Sequence, residues 1–186
     1  DLHVPGPGEF QRVVDEVGYH LRDAVGIMVG GAPVTQGFAD DMGCAVVSNI
    51  EQPKFPEVET VLIPIGGGGL ISGIATAIKA LKPSIEVIGV EATLYPSMKN
   101  VIDHQHGVIG GDTLAEGIAV KEPGQLTRAV IARTVDRIEL VDEKHIEHAV
   151  SLLVGIEKTV VEGAGAAGLA LILARKEQFA GKRVAT

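Results

Sequence analysis

Four consecutive glycines, Gly66, Gly67, Gly68 and Gly69, separate an apolar strand-like run at residues 60–65 from a helix-like run at 70–81. Glycine costs backbone entropy and gives a core no side chain, so four together need a reason beyond folding. A tight strand-to-helix turn would be served by one glycine or a pair. A loop passing into a helix N-terminus instead presents several backbone N–H groups, and the positive end of the helix dipole favours an anion there. Successive N–H groups of this kind form nests for oxyanions. Phosphate is the expected guest.

The pattern is neither a Walker loop nor the dinucleotide fingerprint G-x-G-x-x-G. Leu70 and Ile71 stand where a nucleotide-hydrolysing loop needs its lysine and hydroxyl. A cofactor anchored by its phosphate is therefore expected rather than phosphoryl transfer. Replacing Gly68 with a β-branched residue is expected to push a side chain into the cradle and to strain a positive φ.

The formal charge of −8 argues against nucleic acid or an anionic membrane as partner, so phosphate capture must rest on local amides. Apolar residues make up 46% of the 186, enough for a core. With aromatics at 3%, that core must be packed by Val, Ile, Leu and Ala. The lone Cys44 excludes an internal disulfide and fits a reducing compartment. No run approaches the roughly 20 apolar residues of a membrane span, and the opening residues do not read as a signal peptide. Cytoplasmic location is the expectation.

Along the chain, apolar runs ending in glycine alternate with helical periodicity. Helices are expected at 9–23, 33–42, 70–81, 96–103, 124–134 and from about 143 to 161. A further small-residue helix is expected after a 162–165 turn, ending near 176. Strands are expected at 25–29, 44–47, 60–65, 85–91 and 138–141, with the start of another at 182–186. Residues 48–59, with two prolines, read as a linker. Repeated β–α units of this kind predict an α/β fold: three layers, α/β/α, around a mostly parallel, Rossmann-like sheet.

Five stretches carry a specific resemblance: residues 61–70, 87–92, 95–98, 111–121 and 161–167. In that order they resemble the large domain of threonine dehydratase, a pyridoxal-phosphate (PLP) lyase of fold type II. The likeness covers residues 58–186, about two-thirds of the chain. It implies PLP as cofactor, with the N–H groups of Gly66, Gly67, Gly68, Gly69 and Leu70 on its phosphate. It also implies Gly117 beside the cofactor ring and Glu162 near the pyridine-nitrogen end. The parent reaction would be deamination of L-threonine or L-serine to a 2-oxo acid and ammonia.

The sequence also departs from that family. Its cofactor-bearing lysine sits in a Ser-Phe-Lys-x-Arg type segment, and no lysine here has that context: Lys54 lies in Gln-Pro-Lys-Phe, and Lys79, Lys82 and Lys99 lie on or after helices. The Ser-x-Gly-Asn-His type substrate loop is missing too, and the sequence stops before the family's Gly-Gly-Asn segment. β-Elimination needs that lysine to carry PLP and move the α-proton. The chain alone is thus expected to hold PLP non-covalently and to be inert, with no catalytic residue assigned. A complementing catalytic half, or a homo-oligomer, is the expected partner.

Residues 1–47 instead resemble the end of a corrinoid-binding, flavodoxin-like domain, on the stretches 25–35 and 38–43. Gly30 and Gly31 would correspond to glycines beside the cobalamin nucleotide tail. The Asp-x-His-x-x-Gly and Ser-x-Leu segments of that family are absent, so corrinoid binding is not expected. Two likenesses in one chain imply a chimera or rearranged fragment: residues 1–57 corrinoid-like with a linker, 58–186 PLP-binding. The rival readings are a non-enzymatic α/β scaffold with a relic loop, and a corrinoid-binding remnant.

The remaining candidates read as structural. His104 and His106 lack carboxylate or thiol partners at ligand spacing, so no metal is expected. His145 and His148 read as a solvated helix face. Asp40, Asp41, Asp142 and Glu143 read as helix-end charges, and Asp142 as an N-cap. The small-residue helix after Glu162 can be close-packed, border the cofactor, or both.

Overall fold

The computed structural model describes residues 58–186. The helices and strands expected before residue 48, and the linker as far as 57, lie outside the described residues.

Thr60–Pro64 forms β1, and the chain turns through the glycines into α1, Gly69–Leu81. β2 is Glu86–Ala92 and α2 Ser97–Ile102, followed by a 3₁₀ turn at Glu116–Ile118 and α3 at Gln125–Thr134. β3 is Arg137–Val141, α4 Glu143–Gly155, α5 Gly163–Ala174, α6 Lys176–Phe179, and β4 Val184–Ala185. The strands pair in the order β3-β2-β1-β4, and every pair is parallel. Thr60 lies opposite both Glu86 and Val184, and Ile88 lies opposite Arg137. This is the expected α/β class.

Strand alternation assigns the two faces. Ile63, Ile65 and Val87 point to one side and pack with Ile71, Ile74 and Ile78 of α1, Met98 of α2 and Ile131 of α3. Leu62, Ile88 and Val90 point to the other, against Ile146 and Ala149 of α4 and Ala166, Ala167 and Ala170 of α5. A strand covered on both faces must be apolar at nearly every position, and β2 is buried from Val87 to Ala92. Helices α1 to α3 link strands running one way across the sheet, and α4 to α6 link the return to β4. Right-handed crossovers require the covering face to switch when the direction reverses.

Two expectations at the C-terminal end are corrected. Helix α4 stops at Gly155, not near residue 161. The apolar spacing continues through Ile156 and Val160, but these are 67% and 92% exposed, so no core-facing stripe extends the helix. Lys158 adopts φ 58, and the Thr159 N–H closes on the Leu153 carbonyl at 3.0 Å. The 162–165 stretch is not a turn before a helix: Glu162 is the N-cap residue of α5, and Gly163 its first residue.

The small residues of α5 reflect close packing. A Cβ on Gly163 would lie 2.3 Å from the Leu114 carbonyl oxygen and 2.5 Å from its carbon. Both are backbone atoms with little freedom to withdraw. Gly163→Ala is expected to destabilise the fold by about 1–3 kcal/mol, the usual cost of overpacking. A urea midpoint equal to that of the parent chain would contradict this packing.

Candidate functional site

The glycine loop follows β1 at the C-terminal edge of the sheet. Ile65 still belongs to the ladder, its N–H donating to the Val90 carbonyl at 2.8 Å. From Gly66 to Ile71 the amides are unspent among the described residues. Among the described residues, the N–H groups of Gly66, Gly67, Gly68, Gly69, Leu70 and Ile71 meet no protein acceptor. The next residue, Ser72, is the first to be matched, its N–H reaching the Gly68 carbonyl at 3.1 Å. Open helix N-termini leave such donors, which a ligand can satisfy.

The four glycines have different surroundings. Gly66 lies against the 117–120 segment: a Cβ there would stand 3.2 Å from the Gly117 carbonyl oxygen and 3.3 Å from Ile118 Cα. Gly68 is left-handed, φ 91, and a Cβ on it would meet Met98 Cε at 2.7 Å and Ile131 Cδ1 and Thr127 Cβ at 2.9 Å. A side chain at Gly68 would therefore enter the protein interior, not the cradle, which corrects the expected mode of disruption. At Gly67 and Gly69 a Cβ would meet nothing of the described residues within 4 Å. Packing does not require glycine at those two positions.

Gly117 and Glu162 come to the same place. Gly117 sits in the 3₁₀ turn, and a Cβ there would lie 3.3 Å from Glu162 Oε1 and 3.2 Å from Ala164 Cβ. The loop thus borders Gly117, and Gly117 borders Glu162 at the start of α5. Leu70 is 56% exposed at the mouth of α1. Sequence reasoning missed Glu143, read above only as a helix-end charge. Its carboxylate accepts from Thr113 Oγ1 at 2.7 Å and from the Leu114 N–H at 3.0 Å, tying down the segment that leads to Gly117. Asp142 caps α4 as expected, accepting from the His145 N–H at 2.9 Å. That N–H, then the His145 side chain, hold the Asp142 carboxyl below its ordinary range.

Other features stand apart from the loop. A cavity of about 270 Å³ is lined by Ser97, Asn100, His106, Lys121, Glu122 and Arg128 among others, and by none of residues 66–70. Among the described residues no cluster of His, Cys, Asp and Glu could hold a metal ion. No described helix is long and apolar enough to cross a membrane.

The family model described as pyridoxal-phosphate dependent enzyme matches residues 27–186. The chain belongs to that family. PLP is the family's cofactor, and the unspent amides around open space at Gly67 and Gly69 suit its phosphate. L-threonine ammonia-lyase of Thermotoga maritima is 46% identical over 132 residues, covering 70% of this chain and 33% of the relative. The catabolic L-threonine dehydratase of Staphylococcus aureus N315 is 43% identical over 125 residues, covering 64% and 35%. The chain thus spans about a third of the length of these curated relatives. Among solved structures, a T.th. threonine deaminase aligns with a TM-score of 0.61 and 31% identity, covering 80% of this chain and 49% of that one. Maize serine racemase aligns with a TM-score of 0.65 and 32% identity, covering 75% and 44%. The family match begins inside the segment read above as corrinoid-like. Nothing in these matches supports a corrinoid-binding segment or a chimera.

One buried carboxyl packs against the start of α2. Glu91, 1% exposed at the end of β2, accepts from the Met98 N–H at 2.8 Å and the Lys99 N–H at 3.0 Å. Burial pushes its carboxyl from 4.5 up to about 7, against the Lys99 and Met98 N–H groups and the Lys99 charge, which pull it down. A folded-state value above the unfolded one means that the folded chain holds the extra proton. Stability from this group is then greatest at or below pH 4.5 and declines until about pH 7. The loss is on the order of 3 kcal/mol. In urea titrations between pH 4 and 8, the stability of the parent chain should fall relative to that of Glu91→Gln across that window. A pH-independent difference between the two would contradict the shift.

Proposed function

We propose that residues 58–186 form the phosphate-holding part of a PLP-dependent ammonia-lyase acting on L-threonine or L-serine. The observation that carries this reading is the run of unspent amides at Gly66, Gly67, Gly68, Gly69 and Leu70. It is joined to two glycines, Gly67 and Gly69, that packing does not need. In this reading those amides bind the cofactor phosphate. Gly117, lacking a side chain, lies beside the ring, and the Glu162 carboxylate stands toward the ring nitrogen. The threonine ammonia-lyase relatives support the substrate class.

When bound, PLP supplies an electron sink for chemistry at the amino acid's α-carbon. The chain's own residues would bind and orient it. No lysine among residues 58–186 lies in the family's cofactor-bearing context. We therefore place the proton-moving lysine outside this region, on another part of the polypeptide or on a complementing chain. By itself, the 186-residue chain is expected to hold PLP non-covalently and to leave threonine unchanged.

Thermal unfolding with PLP tests the cradle. A ligand at a hundredfold excess over its Kd adds about 2.7 kcal/mol, a rise of several degrees in Tm. A midpoint indifferent to both PLP and inorganic phosphate would leave only the reading of a scaffold with a relic loop. Borohydride treatment of the PLP-loaded chain, followed by mass spectrometry, should give no stoichiometric lysine adduct. One adduct at a single position would overturn the non-covalent assignment.

The open glycines give a sharper comparison. Gly69→Ala should melt close to the parent chain without ligand, because its Cβ meets no atom of the described residues within 4 Å. It should nevertheless bind PLP more weakly, because the cofactor must approach that backbone closely. Gly68→Ala should lose stability even without ligand, through its positive φ and its crowded interior face. Equal PLP affinity in the parent and Gly69→Ala would count against the cradle.

A further inference from the structure

We infer that Thr127 is a positioning residue for the phosphate cradle: its hydroxyl turns the Gly67 carbonyl away and so aims the following amide at the ligand. The inference rests on the phosphate reading above and extends it to a residue with no part in the loop.

Among the described residues, and apart from the ladder of α1 itself, the Gly67 and Gly68 carbonyls carry the hydrogen bonds of the glycine loop. The Gly67 carbonyl accepts from Thr127 Oγ1 at 2.7 Å and from the Gly124 N–H at 3.2 Å. The Gly68 carbonyl accepts from the Ser72 hydroxyl at 2.6 Å and from the Ser72 N–H at 3.1 Å. A hydroxyl has one proton, and Thr127 Oγ1 also stands 2.9 Å from the Gly124 carbonyl. The shorter approach is to Gly67.

A trans peptide is planar, with its C=O and N–H on opposite sides. No described peptide bond is cis. Holding the Gly67 oxygen toward α3 therefore turns the Gly68 N–H to the opposite side. Holding the Gly68 oxygen toward Ser72 does the same for the Gly69 N–H. The left-handed Gly68 lets the two peptides turn so that successive amides converge. The threonine Cβ adds to this. Thr127 Cβ, Met98 Cε and Ile131 Cδ1 together close the interior side of Gly68. Thr127 is one of the residues that fix both the tilt and the depth of the loop.

Without the hydroxyl, the Gly67 carbonyl keeps one donor, the Gly124 N–H, and the 67–68 peptide gains freedom to rotate. A rotated peptide would present an oxygen where the anion expects a donor. Preorganisation of the cradle is lost before any direct contact with the ligand is removed.

The test uses the 186-residue chain with inorganic phosphate and, separately, PLP, titrated by calorimetry. Thr127→Val keeps the shape and removes the donor, and is expected to weaken both ligands about three- to tenfold, the range of one hydrogen bond. Thr127→Ser keeps the donor and should restore most of the affinity. The amide resonances of Gly68 and Gly69 give a readout that general destabilisation would not imitate. Phosphate should shift them strongly in the parent chain and in Thr127→Ser, and weakly in Thr127→Val at saturating ligand. Parent binding with an unchanged Thr127→Val overturns the positioning role alone. Failure of Thr127→Ser to recover, with ligand-free Tm values equal, also overturns it. A parent chain that binds neither phosphate nor PLP removes the phosphate reading and this inference with it.

Discussion

The reversal of chain direction at β1 constrains everything around the candidate site. From β1 the chain moves one strand at a time to β2 and β3, then returns to place β4 on the other side of β1. The connection leaving β1 runs on one face, and the connection approaching β4 runs on the other. The loop leaving β1 therefore lies at the point where the described connections part to opposite faces of the sheet. In open parallel sheets, crevices at such switch points are where ligands bind. The glycines lie at such a switch point, where β1 ends and α1 begins.

In the proposed reading local dipoles, not the overall charge, attract the cofactor's phosphate to the glycine loop. The formal charge of −8 opposes any oxyanion at long range. At physiological ionic strength that repulsion is screened over roughly 8 Å. At contact, several aligned amides and a helix terminus act over hydrogen-bond distances, where screening by salt is weak. A cradle of backbone groups also carries no titrating side chain of its own. Its donors keep their character at any pH at which the fold persists, whereas Glu91, held by the start of α2, is a buried carboxyl whose proton the pH changes.

Much of the fold was legible because it rests on local pattern. The strands at β1, β2 and β3 and the helices at α1 and α3 fall within a residue or two of the periodicity. The glycine run marked the loop between β1 and α1. Asp142 announced the start of α4. The errors share one cause: sequence period does not report burial. Ile156 and Val160 keep the helical spacing but face solvent, so the spacing overstates the length of α4. Gly163 and Gly165 have the composition of a turn, but close approach to Leu114 makes the first of them the start of a helix.

The site divides along the same line. In the proposed reading the amides come from Gly66, Gly67, Gly68 and Gly69, which the chain itself suggests because they are adjacent and precede a helix. What orients those amides could not be read, because Thr127 lies 60 residues from Gly67 and looks like any polar position in the first turn of α3. Glu143 is similarly hidden: its charge at the head of α4 has a sufficient local explanation, and only the fold places Thr113 and Leu114 within its reach. A backbone-built site therefore has two kinds of determinant. The donors are encoded contiguously as missing side chains. Their direction is encoded remotely, by hydroxyls and carboxylates that hold carbonyls and loop segments in place. Chains that share the glycines can thus differ in how firmly the loop is held, and affinity for the anion would vary with residues that never touch it.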